Sequence, residues 1–108
     1  EDNLKRIPKN VAIEKVSSDD PRLLSKILAE KGCNKVLWEC GPELATAALR
    51  TGCIQEFITF IAPKIIGGVN GMNPFSDFEF ESMNEVISLN FKDIEILSKD
   101  IYLRSFVR

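Results

Sequence analysis

Val36-Leu37-Trp38-Glu39-Cys40-Gly41-Pro42-Glu43-Leu44-Ala45 decides how this chain is read, because it joins an apolar strand to a helix through a glycine–proline turn. Residues 35–39 are short and nearly all apolar and read as a strand. Pro42 suits the first helical position, where its missing N–H costs nothing. Leu44, Ala45, Ala48 and Leu49 then recur at helical spacing, and Gly52 supplies the stop.

Upstream, the same grammar appears once more. Residues 1–10 are polar and read as an entering loop; residues 11–16 read as a strand with Val11 and Ile13 on one face. Ser17-Ser18-Asp19-Asp20-Pro21 is a helix start, with an Asp or Ser cap ahead of Pro21. Leu23, Leu24, Ile27 and Leu28 form the apolar face, and Gly32 ends the helix. Downstream, residues 56–62 read as a third strand. Strand, helix, strand, helix, strand with short connections predicts a parallel βαβαβ core. Past Pro63 the pattern changes. Ile65-Ile66-Gly67-Gly68 leads into an irregular stretch, followed by alternating runs around Ile87, Leu89, Phe91; Ile94, Ile96; and Ile101, Leu103, Ser105, Val107. These predict C-terminal strands, at least some antiparallel. The expected class is α/β.

Bulk properties narrow the function. The 108 residues carry a net charge of −2, with 44% hydrophobic and 28% charged residues, the balance of a globular domain. Charges are interspersed, without the basic stripe that nucleic-acid binding needs. The apolar run 57–62 is far too short for a bilayer, and no signal peptide is visible, so neither a nucleic-acid nor a membrane partner is expected. There is no His, and Cys33, Cys40 and Cys53 form no Cys-x-x-Cys pair. Zinc-finger spacings and Ser-His-Asp triads are thereby excluded, and no metal is expected. Three thiols suggest a reducing cytoplasm, with the cysteines read as buried and structural.

In open α/β sheets, ligands bind at the carboxyl ends of parallel strands. That places Glu39 at a crevice, with Gly41 allowing close backbone approach. The helix starting at Pro42 points its free N–H groups, with about half a positive charge, at the same crevice. A phosphate seat and a ligand-free turn both fit this pattern, and Glu39 reads equally as a solvated carboxylate. Neither a G-x-G-x-x-G nor a Walker loop is present. Gly67-Gly68 reads as a turn needing positive φ. Trp38 reads as core, Glu56 as a surface charge at a strand start, and Phe75, Phe78 and Phe80 as packing under the long loop.

The segment 36–45, then Gly52, then Gln55-Glu56, then Ile61-Ala62-Pro63-Lys64-Ile65-Ile66-Gly67-Gly68, resembles the reductase domain of bifunctional riboflavin-biosynthesis deaminase–reductases. The family pattern there is Glu-Gly-Gly-Pro-x-Leu, Gly-x-x-Asp-Glu and Ala-Pro-x-x-x-Gly-Gly, and the agreement covers about a third of the chain in order. The resemblance implies a dihydrofolate-reductase-like fold and NADPH-dependent reduction of 5-amino-6-(5-phosphoribosylamino)uracil, a pyrimidine ribosyl phosphate, to its ribitylamino product. It implies that Glu39 lies against the substrate and that Gly41, Pro42, Glu43, Leu44, Ala45, Thr46 and Ala47 line the cofactor. No residue is assigned to hydride transfer itself, and a homodimer is implied. Cys40 stands where the family has its first Gly, a strained position if its φ is positive; Gln55 replaces the usual Asp.

The family's reductase domain is about twice this length, so residues 1–108 are expected to be its C-terminal portion, without the upstream half or the deaminase domain. Two other readings stay open. One is a non-catalytic folding or dimerisation module; the other is a related pyrimidine or pterin reductase.

Overall fold

The computed structural model describes residues 7–67, 71, 73–76 and 78–108. Gly68 of the expected Gly67-Gly68 turn lies outside the described residues. Two helices, α1 (Pro21–Glu30) and α2 (Pro42–Arg50), precede three strands, β1 (Glu56–Ile61), β2 (Leu89–Leu97) and β3 (Asp100–Val107).

Both helices begin and end where local chemistry dictates. Asp20 caps α1, its Oδ1 accepting from the Arg22 N–H at 2.9 Å. The Arg22 side chain also donates to this carboxylate, holding it below its usual range. At the far end, Gly32 has φ 87° and donates to the Ala29 carbonyl, while Cys33 donates to that of Leu28. Helix α2 repeats the device: Gly52 has φ 70° and donates to Leu49, and Cys53 donates to Ala48. Each is a Schellman closure, in which a glycine takes the left-handed conformation that a Cβ would strain.

The sheet has the order β1-β3-β2 and is antiparallel throughout. Strands β2 and β3 form a hairpin in which Leu97 pairs with Asp100 across Ser98-Lys99, and Ser98 takes φ 62°. The register slips between Phe91 and Asp93, leaving Lys92 as the extra residue of a bulge. Arg104 on the central strand ties the sheet together. Its Nε and Nη2 donate to Glu56 Oε1 and Oε2 at 2.8 and 2.9 Å, and its Nη1 donates to Asp93 Oδ2 at 3.2 Å. Glu56 opens β1 as expected, but it is half-buried and serves as a cross-strand partner.

The α/β class, both helices, the third strand and the antiparallel C-terminal strands stand as expected. The parallel ladder does not form: residues 11–16 and 35–39 pair with nothing among the described residues. Apolar composition alone cannot make a strand, since a ladder needs a neighbour at 4.7–4.9 Å. The consequence shows in the core. Among the described residues only Ala45 and Ala48 are buried hydrophobic residues and no large side chain is fully buried, while Leu37 is 76% exposed. The radius of gyration is 16.5 Å, against about 13 Å for a compact domain of this length.

What joins α2 to the sheet is the loop 73–80. Phe75 packs on Phe57 of β1 with centroids 5.4 Å apart, and Phe78 stacks on Phe80 at 5.1 Å. Arg50 donates to the Phe78 carbonyl and lies over its ring. The packing role expected of these phenylalanines is what they do.

Candidate functional site

The turn between residue 39 and α2 is built from exposed residues: Glu39, Cys40, Gly41, Pro42 and Glu43 all face solvent. Trp38, just before them, is half-buried. Gly41 is the N-cap, with φ −70° and ψ 171°, and no side chain caps the helix. The first helical backbone bond runs from the Ala45 N–H to the Gly41 carbonyl at 3.0 Å. The N–H groups of Glu43 and Leu44 precede that bond, and Pro42 has none to offer. An uncapped helix start presents these donors, and the positive end of the dipole, to the outside.

Glycine at 41 is not demanded by the fold. Its φ is one any residue adopts, and a Cβ built on it meets nothing within 4 Å. Cys40 is free of the strain expected if it took positive φ, for its φ is not positive. A thiol therefore replaces the family's glycine without backbone cost. The cysteines are not the buried structural residues expected: Cys33 and Cys40 are exposed and Cys53 is half-buried. Gly67 has φ 66° and bears out the turn reading at that position.

The remaining residues of the helix divide by face. Leu44 and Ala47 are half-buried, while Ala45 and Thr46 are buried. Thr46 has a task within the protein: its hydroxyl accepts from the Ser76 N–H at 2.9 Å and lies 3.5 Å from the Ser76 carbonyl. The Ser76 N–H also approaches the Pro42 carbonyl at 3.4 Å. The loop is thereby fastened to the first turn of α2, directly beneath the exposed cap. Sequence reading missed this link, because the two residues are thirty apart and Thr46 carries no pattern that names its partner.

A cavity of about 300 Å³ opens beside Cys40, between residues 36–40 and 54–58, with Pro74 and Phe75 as a further wall. A cavity of about 570 Å³ lies at the opposite end of the same two segments, beside Cys33 and Cys53. Neither Glu39 nor Gly41 lines either cavity. The smaller one reaches the turn through Cys40 and Ala45.

Comparison with known proteins identifies the family. The profile of the family described as RibD C-terminal domain matches residues 2–103. The chloroplastic riboflavin biosynthesis protein PYRR of Zea mays is 31% identical over 99 residues, covering 92% of this chain and 16% of that protein. The riboflavin biosynthesis protein RibD of Synechocystis is 35% identical over 80 residues, or 74% of this chain and 22% of its own. Among solved structures, Acinetobacter baumannii RibD, form 2, superposes with a TM-score of 0.71 at 28% identity, covering 91% of this chain and 26% of that one. The chain spans about a sixth to a quarter of the length of these relatives. The expected dihydrofolate-reductase-like α/β fold follows from this likeness, and the chain belongs to the RibD C-terminal domain family.

Proposed function

We propose that this chain is the cofactor-side portion of a riboflavin-biosynthesis reductase, and that α2 seats a phosphate of NADPH at its open start. The observation that carries the reading is the uncapped N-terminus of α2 beside a glycine that the fold itself does not require. The N–H groups of Glu43 and Leu44 donate to phosphate oxygens, Gly41 lets them approach, and Pro42 fixes the turn without adding a competing donor. When bound, NADPH supplies the hydride that reduces the open-chain ribose of 5-amino-6-(5-phosphoribosylamino)uracil. Glu39, one residue beyond Trp38, accepts hydrogen bonds from the substrate. Ala45, Thr46 and Ala47 act by holding the helix in place, since their side chains are wholly or half turned inward.

The setting proposed is the cytoplasm or another reducing compartment; among the described residues no helix is long and apolar enough to cross a membrane. A homodimer is part of the same reading, supported by the apolar Phe91, Ile94 and Ile96 exposed along β2 at the sheet edge. The exposed edges also favour a second reading, in which this portion serves only folding and association.

Trp38 gives the test, being the single tryptophan and adjacent to the site. NADPH is expected to quench its fluorescence saturably. Gly41→Val should keep the far-ultraviolet spectrum and weaken the quench at least ~10-fold, because branched carbons then occupy the approach to the donors. Equal affinity in both proteins would contradict a phosphate seat at this cap.

A further inference from the structure

We draw no further inference here: the strongest candidate, the apolar groove of about 200 Å³ between α2, the loop 73–80 and the start of β2, lined by Leu49, Phe57, Phe75, Phe78, Val86 and Leu89, carries nothing because nothing in the structure shows what covers it.

Discussion

Single residues here divide into those that shape the backbone and those that leave space. Ser98 occupies a turn position at φ 62°, where a side chain is strained and glycine is not. Ser98→Gly should raise the stability of the hairpin by up to about 1 kcal/mol, read as a higher denaturant midpoint with an unchanged slope. Thr46 works through its hydroxyl, which holds the loop at Ser76. Thr46→Val keeps the shape and removes the acceptor, so it should cost about 1–2 kcal/mol. If its part is to fasten the loop, NADPH affinity per folded molecule should stay as it is; a large affinity loss at unchanged stability would make Thr46 a direct ligand instead. Gly41 is the opposite kind of residue, since nothing in the protein occupies the space a Cβ would take.

At the scale of elements, what the sequence revealed depended on the range of the interaction. The helices were legible because their signals are local: Asp20-Pro21 to Gly32, and Gly41-Pro42 to Gly52, each close a helix within its own few residues. The proposed site could be read for the same reason, since its residues adjoin one another along the chain; its role is for the binding tests to decide. The strands were legible only as apolar runs. Whether 35–39 forms a ladder depends on a neighbour that its own residues do not encode. The Arg104 fork was illegible because Glu56 lies 48 positions away and Asp93 comes into register only through the bulge at Lys92. That fork predicts a pH dependence. Bonds donated by Arg104 lower the Glu56 carboxyl below its ordinary value of 4.5. A lowered folded-state value means the stabilisation is full above the unfolded value and is lost as pH falls through the folded one. The thermal midpoint of the parent chain should therefore drop more steeply below pH 4.5 than that of Glu56→Gln; parallel profiles would show that the ion pair contributes nothing.

For the whole molecule, the decisive feature is how little is buried. Among the described residues two alanines make up the buried hydrophobic core, and exposed apolar side chains remain on Val36, Leu37, β1 and β2. A chain of this size has little surface to spare, so unmet apolar area weighs directly on its stability. The relatives are several times longer than the stretch they share with this chain.

The central claim is that the start of α2 is an NADPH half-site, and thermal unfolding under NADPH titration tests it most directly, with NADH and Glu39→Ala alongside. The account predicts a midpoint that rises with NADPH concentration, by an amount corresponding to about 2.7 kcal/mol at a hundredfold excess over Kd, and that is retained in Glu39→Ala because that carboxylate faces the substrate. A flat midpoint in a chain that unfolds cooperatively would contradict it, and would leave this portion with a structural role alone.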